Sequence, residues 1–190
     1  MEGIMGTISK ASLVSTPSNW RYSGLAILLH WVLALLIAGM VGLGWYMMAF
    51  EDEPGADKYF NLHKSVGILI FGLVLIRAVW RIGHKPADLP ASLPKWEVVA
   101  ASLVQWLLYG CMILLPVTGF IGALYSKNGV TFFGAHFPTW VLPSHDTAEQ
   151  FFEIHETLAW ALVALVIIHT AAGLKHLFIN RDRVFQRMWL

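Results

Sequence analysis

Cysteine is almost absent from this chain: Cys111 stands alone among 190 residues. A disulfide framework, a CxxC zinc pattern and a CxxCH attachment motif are therefore all excluded. Charge is scarce too, with 13% Asp, Glu, Lys and Arg against 57% hydrophobic residues. A water-soluble domain of this size could not cover so much apolar side chain with polar surface. No internal repeat at a solenoid period is visible. A formal net charge of only +1 gives no sign of a nucleic-acid partner.

What is present is long apolar sequence, with a mean hydropathy of +0.61. Four stretches stand out: Tyr22–Phe50, Tyr59–Arg81, Trp96–Tyr125 and Glu149–Phe178. Each is long enough to cross a bilayer core of about 30 Å, and a crossing segment must be helical to satisfy its backbone. The expected fold is all-α, an integral membrane four-helix bundle in contact with lipid. Residues 1–20 read as a flexible tail, 21–180 as the bundle and 181–190 as a basic tail. The first stretch is too long for a signal-peptide core, so it reads as the first span. Gly, Pro and acidic residues mark loops at 51–57 and 83–94. The connection 126–147 holds FFGAHFPTWVLP, whose aromatics, Gly and Pro suggest a segment lying at the interface.

Charge placement orients the bundle. With both termini on one side, that side carries Lys10, Arg21, Arg77, Arg81, Lys85, Lys95, Lys175, Arg181, Arg183 and Arg187. The other side carries Lys58, Lys64 and Lys127. The positive-inside rule then predicts a multi-pass protein with both termini cytoplasmic. The outer face is acidic, with Glu51, Asp52, Glu53, Asp57, Asp146, Glu149, Glu153 and Glu156.

Histidine supplies the chemistry. His155 and His169 lie fourteen residues apart in the last span, a rise of about 21 Å in nearly four full turns. Both imidazoles therefore leave the same helix face, one near each edge of the membrane. His30 falls near the inner edge of the first span and His63 near the outer edge of the second. Depth pairs His63 with His155 and His30 with His169. Ionisable groups are costly in hydrocarbon, and four of them at two matched depths point to metal ligation rather than to isolated hydrogen bonds. Two neutral imidazoles fill the axial positions of one haem iron. Without CxxCH the haems are expected to be two non-covalent b haems. His176, seven residues beyond His169, is the competing inner ligand; His84, His136 and His145 fall in loops.

Other residues belong to the same expectation. Arg77 lies fourteen residues after His63 and Arg81 one turn further. A buried guanidinium needs an anionic or polar partner, such as a haem propionate or a quinone; snorkelling to headgroups is the bland reading. Lys64 and Lys127 are the corresponding outer basic residues. Gly67, one turn after His63, lets a flat macrocycle or a neighbouring helix approach. Pro116 and Gly119 should bend the third helix, which has no histidine and reads as a packing wall.

The segments LLHWVLAL around His30, NLHKSVG around His63, LLPVTGF around Pro116, HETLAW from His155 and IIHTAAGLKH around His169 resemble the bacterial cytochrome b561 family. The ordered set covers about residues 20–180. The resemblance implies a four-helix cytochrome of the bacterial cytoplasmic membrane with two b haems ligated by His30, His63, His155 and His169. Within that family the most similar type passes electrons from periplasmic superoxide to ubiquinone. Related members are cytochrome subunits that take electrons from a docked periplasmic hydrogenase or dehydrogenase. The acidic outer face opposes broad steering of an anion and would suit a basic docking partner. A remote alternative uses the histidines directly as a proton or metal pathway. No nucleophile or proton-abstraction triad is apparent.

Overall fold

The computed structural model describes residues 20–85, 88–90 and 93–189. The tail expected over 1–20 lies outside the described residues apart from Trp20, as do 86–87, 91–92 and 190. Four helices follow one another: α1 Gly24–Ala49, α2 Asp57–Gly83, α3 Lys95–Tyr125 and α4 His145–Leu174. All four are long and apolar enough to cross a membrane. Their apolar residues run around the whole circumference, as lipid-facing helices require.

Local chemistry sets the ends. Ser23 caps α1 by accepting from the Ala26 N–H at 3.4 Å and also takes the Trp80 indole N–H at 2.8 Å. Ser144 caps α4 through the Thr147 N–H at 3.4 Å. That cap, with Asp146 in the first turn, starts α4 at His145, four residues before the expected Glu149. Beyond Leu174 the helix widens into a π-helical turn over Lys175–Asn180. In α3, Pro116 is accommodated within an unbroken helix. Thr118 Oγ1 donates there to the carbonyls of Leu114 and Leu115, at 2.9 and 3.0 Å.

The connection after α3 holds a short feature that the aromatic composition concealed. Thr131–Phe132 (β1) and Ala135–His136 (β2) form an antiparallel hairpin. Phe133 and Gly134 turn it with φ of 45° and 91°, the left-handed pair that tight hairpins favour. Buried Ser65 of α2 pins the hairpin. Its Oγ donates to the Asn61 carbonyl at 2.7 Å and accepts from the Phe133 N–H at 2.9 Å.

Packing is uneven, and this positions the site. Leu33, Ile70 and Val74 form a buried core between α1 and α2, with Tyr109, Met112 and Ile113 of α3 against it. α4 packs along α3, whereas close backbone approaches between α4 and either α1 or α2 are few. A gap between backbones therefore separates α4 from the α1–α2 pair, and side chains span it.

Candidate haem-binding site

Histidine rings reach across that gap at two depths. His30 of α1 meets His169 of α4 with ring centres 6.2 Å apart. His63 of α2 meets His155 of α4 at 6.1 Å. Two imidazoles on opposite sides of one metal, each bonded at about 2 Å, have ring centres about 6 Å apart. Among the described residues no group of three or more His, Cys, Asp or Glu could hold a metal ion. The chain thus offers two-histidine sets, which suit a metal whose remaining donors come from a macrocycle.

The pair nearer the hairpin has a built orientation. The Nδ1 of His155 donates to the Leu115 carbonyl at 2.8 Å, which leaves Nε2 free to bind a metal. Gly119 makes room for that ring: a Cβ there would stand 2.9 Å from His155 Nδ1. One turn on, a Cβ at Gly122 would meet the Phe152 ring at 2.7 Å. α3 is therefore more than the packing wall expected of a helix without histidine. Its contribution comes from a carbonyl and a missing side chain. The LLPVTGF segment held the only signal, a Gly three residues after Pro. The His63 ring sits 3.5 Å from where a Gly44 Cβ would be, and its Nδ1 is buried without a hydrogen-bond partner. That nitrogen lies 4.0 Å from the same Gly44 Cβ position, so it is turned toward α1.

The basic candidates divide between the two ends. Arg77 donates to the Ala26 carbonyl at 2.6 Å and lies within electrostatic reach of His30 and His169. Arg81 donates to Tyr22 Oη at 3.2 Å and Gln105 Oε1 at 2.8 Å. Lys64 donates to the Gly129 carbonyl at 3.1 Å, tying α2 to the loop before the hairpin. Lys127 is exposed. A Cβ on Gly67 would lie 3.8 Å from the Met40 methyl of α1, so this glycine faces a neighbouring helix. His176, the competing inner candidate, donates from Nδ1 to Asp182 Oδ2 at 2.6 Å.

Spanning helices that present paired imidazoles at two depths are the build of a membrane cytochrome. A family model described as prokaryotic cytochrome b561 matches residues 21–190, and the chain belongs to that family. Relatives match over nearly their whole length. Cytochrome b561 homolog 2 of Escherichia coli (strain K12) is 31% identical over 180 residues, 93% of this chain and 94% of its own. Cytochrome b561 homolog 1 of the same organism is 28% identical over 175 residues, 88% and 96% of the two chains. A protein named Probable superoxide oxidase CybB, of Yersinia pestis, is 25% identical over 172 residues, 88% and 95% of the two chains. The chain is accordingly a multi-pass bacterial membrane protein of the electron-transferring, b-haem class.

Proposed function

We propose that the chain binds two b haems, one between His30 and His169 and one between His63 and His155, and carries electrons through the membrane to quinone. The reading rests on one observation: ring pairs 6.1 and 6.2 Å apart at two depths of the same interhelical gap. When bound, haem supplies one-electron redox chemistry at its iron. The four imidazoles would hold it, with Leu115 fixing the His155 tautomer and Arg77, beside the His30–His169 pair, the candidate to meet a propionate. The apolar helices would exclude water. Gly67, Arg81, Lys64 and Lys127 are the remaining candidates for contact with haem or quinone. Charge distribution supports cytoplasmic termini and a hairpin end facing the periplasm.

The donor at the hairpin end is proposed to be superoxide, a reading supported by the name of the Yersinia pestis relative. Two superoxide ions would give two electrons, and with two protons one quinone becomes quinol while two dioxygen molecules leave. Superoxide-driven reduction of a ubiquinone analogue by the purified chain tests this. Quinol should form only with the intact chain, and none should form with His155→Ala. The acidic residues Glu51, Asp52, Glu53, Asp57, Asp146, Glu149 and Glu153 favour a second reading, in which a basic periplasmic dehydrogenase or hydrogenase docks there. No quinol from superoxide, with reduction through a co-purifying partner, would select it.

A further inference from the structure

We infer that residues 181–189 form a positioning strap for the His30–His169 pair, holding the His30 ring through Trp31 and clasped at its start by His176 and Asp182. The inference rests on the reading of that pair as axial ligands. The two helices that carry these histidines, α1 and α4, have few close backbone approaches and are otherwise linked through α2 and α3. The strap joins them. It leaves the π-helical end of α4 through Arg181 and Arg183, whose φ values of 52° and 65° lie in the left-handed region. Residues with side chains enter that region only when their surroundings hold them there. Asp182, between them, accepts from His176 Nδ1 at 2.6 Å and from the Val184 N–H at 3.1 Å. On its other side His176 lies 3.9 Å from Glu97 of α3, a carboxylate that Lys175 pairs with at 2.6 Å. The clasp thus ties the strap to both α3 and α4.

From there the strap crosses to α1. Phe185 lies against Gly173 of α4, 3.5 Å from where its Cβ would be. The Arg187 carbonyl accepts from the Tyr22 N–H at 3.2 Å, and the Trp189 carbonyl accepts from Arg21. The Met188 carbonyl accepts the Trp31 indole N–H at 2.8 Å. Trp31 is gripped a second time by the Trp189 ring, edge-on at 6.0 Å. Its own ring then stands edge-on to His30, at 5.5 Å and 70°. The hydrogen bond to Met188 holds the Trp31 indole, and through its edge-on contact the strap bears on the plane of the His30 imidazole. The orientation and hydrogen bonding of the histidines that would hold a haem tune its spectrum and potential, and both are open to measurement.

The test uses purified full-length protein loaded with haem. Trp31→Phe keeps a ring beside His30 but removes the N–H that Met188 accepts. Asp182→Ala opens the clasp, and Asp182→Asn restores an acceptor for His176. Trp45→Phe, in the Trp45–Trp160 pair between α1 and α4, is the comparison outside the strap. Trp31→Phe and Asp182→Ala should each shift the midpoint potential and the low-temperature EPR signal of the His30–His169 haem. They should speed its transfer to apomyoglobin by about tenfold, the loss of one hydrogen bond to a held group. Asp182→Asn should recover most of the shift, and Trp45→Phe should leave that haem as it was. The His63–His155 haem of the same molecules serves as the folding control and should stay unchanged. If both potentials and both signals are unmoved, or the two haems shift together, the strap inference is overturned while the axial reading stands. A wild-type chain with no haem between His30 and His169 would remove the axial reading and the strap with it.

Discussion

At the scale of single residues, the site depends as much on what surrounds each histidine as on the histidine itself. His63→Ala or His155→Ala should remove the haem nearer the hairpin and spare the other; His30→Ala or His169→Ala should do the reverse. Low-temperature absorption spectra of the four variants check this, and loss of both bands from any one variant would contradict the pairing. Gly119→Ala is a subtler probe. Its Cβ would stand 2.9 Å from the His155 ring, and overpacking of this kind costs about 1–3 kcal/mol. The haem held by His63 and His155 should bind more weakly while the other keeps its spectrum. The depth pairing of the histidines was legible because helix rise converts sequence spacing into depth. The Leu115 carbonyl was not, because every residue has one and only the fold selects which is used. Gly119 reads as a bend signal in the sequence; in the structure it gives clearance to an imidazole.

At the scale of elements, polar groups fix where the short pieces lie. Ser65 serves the Asn61 carbonyl and the Phe133 N–H from a buried position. Ser65→Ala leaves that N–H unserved, at a cost of about 1–3 kcal/mol. Faster hydrogen exchange at Phe133, with the helices still protected, is the expected result. The clasp at Asp182 predicts a pH dependence. Burial pushes its carboxyl up, but the Val184 N–H and His176 outweigh that and hold it below the usual carboxylate range. A carboxyl with a lowered folded-state pKa contributes stability above the unfolded value of about 3.9 and loses it as pH falls through the folded one. Limited proteolysis should therefore find the strap closed near neutral pH and opened only in acid below that range. The Asp182→Ala strap should be open at both. The four spans were legible from run length alone, since their apolar residues need no particular periodicity in lipid. The hairpin was hidden because its strands are two residues each, too short for an alternating pattern. The start of α4 was hidden for a related reason: its first turn is polar and was assigned to the loop.

At the scale of the whole molecule, uneven packing is the central fact. α1, α2 and α3 share a core, α4 rests on α3, and the histidine rings face each other across the remaining gap. Imidazoles meet across it at two levels, and the Trp45–Trp160 pair crosses it as well. Four spans and few charges agree with membership of the prokaryotic cytochrome b561 family. The most direct measurement is a pyridine haemochrome assay on detergent-purified protein, with haem counted against chain. The account predicts two b haems per chain. One haem would contradict the two-level site, and none in a folded, haem-supplied preparation would contradict the account altogether.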